Sequence, residues 1–100
     1  MSEEIGEVIA SRTVADGDRP VLIEFGAPKP SDDGFRCGFR IEGVRTSSAS
    51  GADALAALYS ALIEVGAELK SANAAGANFT VFGQSDLGFP VAASGSEVSR

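Results

Sequence analysis

The sequence has no histidine, no tryptophan and one cysteine, Cys37, among its 100 residues. A catalytic triad or dyad that uses histidine as its base is therefore excluded within one chain. A disulfide framework needs a second cysteine, and a zinc site of the usual type needs several cysteines or histidines. The glycines match neither a P-loop nor a dinucleotide-binding fingerprint. We therefore expect no catalysis, no metal and no cofactor.

Basic residues are also few: eight Lys and Arg stand against fourteen Asp and Glu, which gives a net charge of −6. Domains that bind nucleic acids or anionic membranes usually carry a basic patch, so we expect neither as a partner. No apolar run reaches the ~18 residues of a transmembrane helix, and the acidic start lacks the plan of a signal peptide. A single cysteine fits the reducing cytoplasm, which is the expected location.

Patterns rich in β-branched and alternating apolar residues predict three strands in the first half of the chain. They cover residues 7–14, 21–25 and 35–44. In the clearest of them, polar residues and glycines alternate with the apolar residues Phe35, Cys37, Phe39 and Ile41. The sequence Asp16-Gly17-Asp18 predicts a hairpin turn, and residues 26–34 and 45–50 read as loops.

The period then changes from two to three or four residues, which predicts a helix over residues 51–72. Its apolar stripe consists of Leu55, Leu58, Tyr59, Leu62, Val65 and Leu69. Ser50 and Asp53 resemble a capping box at its start. Residues 79–82 predict a further short strand.

Residues 1–91 are therefore expected to form a single α+β domain of order β-β-β-α-β. Its core would be an antiparallel sheet of three to four strands packed on one long helix. The last strand is left with two positions, at the sheet edge or beside the helix. Residues 92–100 are expected to form a flexible C-terminal tail.

Five short motifs follow one another between about residues 8 and 90. They are Ile9-Ala10-Ser11-Arg12-Thr13, Gly26-Ala27-Pro28, Phe35-Arg36-Cys37-Gly38-Phe39-Arg40-Ile41-Glu42-Gly43, Gly51-Ala52-Asp53-Ala54-Leu55-Ala56-Ala57-Leu58 and Asp86-Leu87-Gly88-Phe89-Pro90. In this order they resemble a family of short bacterial domains of unknown function, with the pattern I-A-x-R-T, G-x-P, an aromatic residue before a cysteine, G-x-D-x-x-Q-A-L and D-L-G-F-P. This chain departs from the pattern at Ala56, where the family usually has glutamine, and at Phe82, near which it often has tryptophan or leucine. The resemblance implies no established activity and assigns no functional residue.

Three arginines, Arg12, Arg36 and Arg40, form the most concrete polar group in the sequence. On a shared exposed face of the sheet they would make a strip able to bind a phosphate or an acidic partner. The alternative is that they pair across strands with Glu24 and Glu42.

The loop over residues 84–90 supplies the second pair of candidates, Asp86 and Phe89. It is either a recognition loop or a plug in which Leu87 and Phe89 cover the end of the core. Cys37 falls on the inward side of its strand, so we expect a buried structural cysteine and no reactive nucleophile.

Two functions remain open at this point. The first is a small non-catalytic protein-binding domain, of the inhibitor or immunity type found in bacterial and phage conflict, including inhibition of a phage-defence complex. It rests on small size and acidity, which is an analogy with other such proteins. The second is an anion-binding or small-molecule-binding domain that uses the arginine strip. A homodimer is compatible with both, because a chain this small buries only about 60–70% of its unfolded surface on its own.

Overall fold

Six strands and one helix make up the part of the chain that the computed structural model describes, residues 5–84 and 86–91. They are β1 (Val8–Asp16), β2 (Arg19–Gly26), β3 (Lys29–Ser31), β4 (Gly34–Ile41), β5 (Arg45–Gly51), α1 (Ala54–Ala74) and β6 (Phe79–Thr80). The predicted α+β class, with an antiparallel sheet and one long helix, is confirmed. The predicted tail over residues 92–100 lies outside the described residues.

The strands form an antiparallel meander in which β1, β2, β4 and β5 follow one another across the sheet. Short β3 pairs with the first residues of β4, while β2 pairs with residues 39–41 of the same strand. After α1 the chain returns to the opposite side of the sheet, where β6 pairs with the end of β1. Of the two positions open for the last strand, the structure has the sheet edge.

The strand count is higher than predicted because two segments that read as loops are strands. Residues 45–50 belong to β5, which pairs with β4 along most of its length. Its Thr and Ser side chains leave only Ala49 buried, so the strand has almost no apolar alternation. Within residues 26–34, Lys29–Ser31 forms β3. The predicted strand over residues 79–82 ends at Thr80, because a tight turn over residues 81–84 gives Phe82 a positive φ of 51° and leaves it 99% exposed.

The helix covers one face of the sheet with a side that coincides only in part with the predicted stripe, of which Val65 and Leu69 are buried and Leu58 and Leu62 are partly buried. Its buried residues are Ala57, Ala61, Val65 and Leu69. Leu55 and Tyr59 are instead 73% and 51% exposed. The small alanines let α1 lie close to the end of β5, where a Cβ on Gly51 would collide with the backbone of the first helical turn.

The start of the helix also differs from the predicted capping box. Asp53 is itself the N-cap, and its carboxylate oxygen accepts a hydrogen bond from the N–H of Ala56 at 2.8 Å. Ser50 lies in β5. Within the described residues, no helix is long and apolar enough to cross a bilayer.

Candidate functional site

The pairing register places Arg12 on a different face of the sheet from the other two candidate arginines. Arg12 lies opposite Ile23, which is fully buried beneath the helix. Arg40 lies opposite Glu24 on the outer face, and Arg36 follows it at the same parity. The expectation that all three arginines form one exposed strip is therefore wrong. It failed because the bulge between Val8 and Ala10 obscured the parity of β1.

Arg12 joins two of the sequence motifs. Its guanidinium donates a hydrogen bond to the carbonyl oxygen of Leu87, and its central carbon lies 5.2 Å from the centre of the Phe89 ring. The Phe89 ring in turn lies 6.4 Å from that of Phe25 in the core. Arg12 thus fastens the segment over residues 86–91 to the helix-facing side of β1.

This segment also packs on the helix, at a position without a side chain. A Cβ on Gly66 would lie 2.7 Å from the Cβ of Phe89, closer than such atoms approach in proteins. Leu87 is buried and Phe89 half-buried, which is the packing arrangement that the sequence left open. Asp86 is exposed and accepts a hydrogen bond from the N–H of Gly88 at 3.1 Å.

A cleft of about 640 Å³ lies between this segment and the flank of α1. Its lining is mainly apolar and includes Ile63, Ala67, Phe89 and Val91, with Lys70 and Asp86 at its polar part. Both candidate loop residues, Asp86 and Phe89, therefore line the cleft.

The edge of β1 that faces away from β2 is the second surface near this segment. At the end of β1 the N–H of Gly17 donates to the carbonyl of Asn78, so odd-numbered residues here turn their backbone groups away from β2. Ser11 and Thr13 therefore present N–H and C=O groups along the outer edge. Because β6 covers only Ala15 and Asp16, no strand among the described residues pairs with this edge between Val8 and Val14.

The outer face of the sheet carries the remaining candidates. Arg40 donates two hydrogen bonds to one oxygen of Glu24, at 2.7 and 3.1 Å, and its charge is thereby neutralised. Arg36 donates to the hydroxyl of Ser48 at 3.1 Å. Lys29 lies directly opposite Arg36 on the neighbouring strand. The outer face thus brings together a Lys–Arg pair that the sequence pattern alone did not identify.

Cys37 is fully buried, in agreement with its predicted inward direction. Its thiol donates to the carbonyl of Gly26, with a sulfur–oxygen distance of 3.3 Å. Burial raises the pKa of the Cys37 thiol above its ordinary value. The neutral thiol is a poor nucleophile, so the environment suits a structural residue.

The side chains that could bind a metal ion are limited to oxygen and sulfur donors, since the chain has no histidine. Across residues 5–84 and 86–91, no three Asp, Glu or Cys side chains come together as a group that could hold a metal ion.

Sequence reasoning missed the importance of Lys29 and of the β1 edge. Lys29 stands in a Pro- and Gly-rich stretch, and only the β3–β4 register shows that it faces Arg36. The β1 edge depends on how little of β1 is covered by β6. Neither fact has a local signal in the chain, because both arise from pairing between segments distant in sequence.

Comparison with protein families gives a match over residues 10–91 to the family model described as Domain of unknown function (DUF6968). The match covers the whole sheet except the start of β1, together with the helix and the segment that Arg12 fastens. Curated proteins and solved structures gave no match.

Proposed function

The chain belongs to the family described as Domain of unknown function (DUF6968), and we propose that it is a non-catalytic domain that binds a protein partner at the free edge of β1. The observation that carries the proposal is the outward-facing backbone of Ser11 and Thr13, which no strand among the described residues covers. An extended segment of a partner can add to such an edge as a further strand.

The edge offers both hydrogen bonds and apolar contacts. Ser11 and Thr13 each present one donor and one acceptor, and each hydrogen bond formed contributes about 0.5–1.5 kcal/mol net. Val8 and Ile9 at the start of β1 are 42% and 48% exposed. A partner strand would therefore gain backbone pairing along the middle of β1 and cover apolar side chains at its start.

Acidic side chains near this edge favour a basic partner segment, while the one cation on this stretch of β1, Arg12, is directed to the Leu87 carbonyl and the Phe89 ring. Glu7 precedes β1, Asp18 follows it, and Asp86 lies on the segment held by Arg12. All three are exposed, and none forms an ion pair within the described residues. The net charge of −6 acts in the same direction at longer range. We propose that the partner is an extended segment with Lys or Arg residues beside apolar ones.

The edge is tested by capturing partners from native cytosol with the wild-type chain and with three variants. Ser11→Pro removes an outward N–H and leaves the pairing with β2, because proline is tolerated where the N–H faces solvent. Ile9→Lys adds a charge beside the edge, and Val44→Lys adds the same charge at a similarly exposed site in the β4–β5 turn. Thermal melts must show that all variants fold.

We expect a partner that is lost with Ser11→Pro and Ile9→Lys and retained with Val44→Lys. A synthetic peptide from that partner's extended segment should bind with the same dependence, and more weakly as salt rises. Equal capture of the partner by all four proteins would refute the β1 edge as the binding site. A dimer of the chain itself that Ser11→Pro abolishes, measured by sedimentation velocity, would assign the edge to a second copy and refute the basic partner.

An inhibitory or immunity-type role in bacterial or phage conflict, including inhibition of a phage-defence complex, is one form that this binding could take. Its support is the small size and acidity of the chain. The identity of the captured partner tests it directly: a toxin or a defence protein that loses activity on binding supports the role, and a partner of another kind contradicts it.

A further inference from the structure

Two cations face each other on the outer side of the sheet, and no carboxylate among the described residues pairs with either of them. Lys29 of β3 and Arg36 of β4 are directly opposite in the antiparallel register. Like charges at such positions destabilise a sheet. Within the described residues, Arg19, Arg40 and Arg45 all form ion pairs, while Lys29 and Arg36 form none. Arg12 and Lys70 also form none, but they lie on the helix-facing side of the sheet and on α1. Among the described residues, Lys29 and Arg36 are thus two unpaired cations side by side in a chain that is acidic overall.

The surroundings of this pair are rich in hydroxyl groups. Lys29 and Arg36 line a cleft of about 480 Å³ together with Ser31, Thr46 and Ser48, whose side chains lie on the same outer face of the sheet. The Arg36 guanidinium already donates to the Ser48 hydroxyl at 3.1 Å, which holds it over the sheet. The hydroxyls provide neutral donors beside the two charged ones.

A buried residue closes one side of the cleft. Ile5 is 6% exposed and packs on Gly38, where a Cβ would lie 3.0 Å from the Cβ of Ile5. The ammonium of Lys29 lies beside Gly6, next in the chain. The segment before β1 therefore forms a wall, so that a small ligand would meet the two cations on one side and an apolar surface on another.

We propose that this cleft binds the phosphate group of a small phosphate monoester. The guanidinium of Arg36 can donate two hydrogen bonds to phosphate oxygens, and the ammonium of Lys29 supplies a second positive charge. A bound dianion would also remove the repulsion between the two cations. The inference goes beyond the proposed protein-binding function, since it concerns a different face of the sheet and different residues.

The test uses inorganic phosphate as the probe, added to the full chain and compared with chloride at equal ionic strength. Amide chemical shifts and melting temperature are recorded for the wild type, Arg36→Gln, Lys29→Gln and the control Arg19→Gln. Arg19 is exposed and lies at the start of β2, away from the cleft, so its loss changes the net charge equally. A small phosphate monoester, glycerol 3-phosphate, is titrated in parallel.

We expect saturable shifts at the cleft residues and a higher melting temperature with phosphate and with glycerol 3-phosphate, in the wild type and in Arg19→Gln. Binding should weaken by about tenfold or more in Arg36→Gln and Lys29→Gln. Without phosphate these two variants should melt no lower than the wild type, because each relieves the repulsion. That result separates loss of binding from loss of folding.

Equal responses to phosphate and chloride at tens of millimolar would overturn the proposal, as would a phosphate response that survives in Arg36→Gln. If inorganic phosphate binds and glycerol 3-phosphate does not, a phosphate monoester is refuted as the ligand. A last variant, Glu3→Gln with Glu4→Gln, changes the acidic residues that precede Ile5 in the sequence. If phosphate binds only to that variant, the cations serve the chain's own carboxylates and the proposal fails. None of these outcomes bears on the β1 edge.

Discussion

The substitution Gly66→Ala tests whether the segment over residues 86–91 is packed on the helix as the structure has it. In an ordinary exposed helix position, alanine in place of glycine stabilises a protein by about 1 kcal/mol. Here the new methyl group would lie 2.7 Å from the Cβ of Phe89, and ordinary contacts begin at 3.4 Å. The segment must therefore move by several tenths of an ångström or more, against the contacts of Arg12 and Phe25 with Phe89.

The magnitude follows from these two opposed effects. Overpacking of this kind costs about 1–3 kcal/mol, so Gly66→Ala should lower the free energy of unfolding by about 0–2 kcal/mol despite its better helix propensity. The sign should reverse when the obstructing atom is removed. In a Phe89→Gly background, Gly66→Ala should raise stability by about 1 kcal/mol.

A Phe89→Ala background provides the matched control. It removes the aromatic ring but keeps the Cβ that obstructs the new methyl group, so most of the penalty should remain. Urea unfolding of the single and double variants gives the difference between backgrounds, which is the coupling energy of the two positions. If Gly66→Ala has the same effect in the wild type and in Phe89→Gly, the packing described for this segment is refuted.

Three further substitutions or conditions test other parts of the structure. Arg12→Gln should lower the free energy of unfolding by about 1–2 kcal/mol, because it removes the hydrogen bond to Leu87 and the contact with Phe89. The melting temperature should fall by roughly 4–8 °C per kcal/mol, and Arg12→Lys should lose less stability. Equal melting temperatures of the wild type and both variants would contradict the role of Arg12 in holding residues 86–91. Asp53→Ala should cost about 1 kcal/mol through loss of the N-cap, whereas Asp53→Ser should recover most of it in the same thermal melts. The pKa of the Cys37 thiol is raised in the folded protein, so the folded thiol stays protonated at a pH where the thiol of the unfolded chain, above about pH 8.5, loses its proton. The free energy of unfolding should therefore fall as pH rises through that range, and it should fall less in Cys37→Ala. Thiol reagents at pH 8 should label Cys37 only as fast as the chain opens, and fast labelling of the native protein would contradict its burial.

Much of the fold follows from local sequence patterns, and the elements that were predicted wrongly have physical causes. The alternation around Phe39 predicted β4, because a strand covered on one face must place apolar residues at every second position. The predicted strand ran on to residue 44, whereas β4 ends at Ile41 and residues 42–44 form the turn to β5. Strand β5 escaped prediction because its outward residues are Ser and Thr and its inward side relies on Ala49. The helix was predicted, with Val65 and Leu69 on its buried side, but the rest of that side was not, since close packing on the sheet favours Ala57 and Ala61 over the larger Leu55.

The candidate site was less accessible to sequence reasoning. Strand parity alone could assign Arg36 and Arg40 to one face, but the bulge in β1 left the face of Arg12 undetermined. Its partners Leu87 and Phe89 lie more than seventy residues further along the chain, where no local rule connects them to β1. The packing alternative for Leu87 was available from the sequence, whereas the Lys29–Arg36 pair needed the register of a three-residue strand.

The attachment of residues 86–91 to β1 has a consequence for the order of folding. The hydrogen bond from Arg12 to Leu87 closes a loop of 75 residues, whereas the β1–β2 hairpin closes over a two-residue turn. Loop closure of that length is entropically costly, so we expect the hairpins and the helix to assemble before this segment docks. Substitutions at Gly66 or Phe89 should then speed unfolding and leave the refolding rate nearly unchanged. Amide hydrogens of residues 86–91 should exchange through partial opening of this late-docking segment, while those of β4 exchange only when the whole domain unfolds.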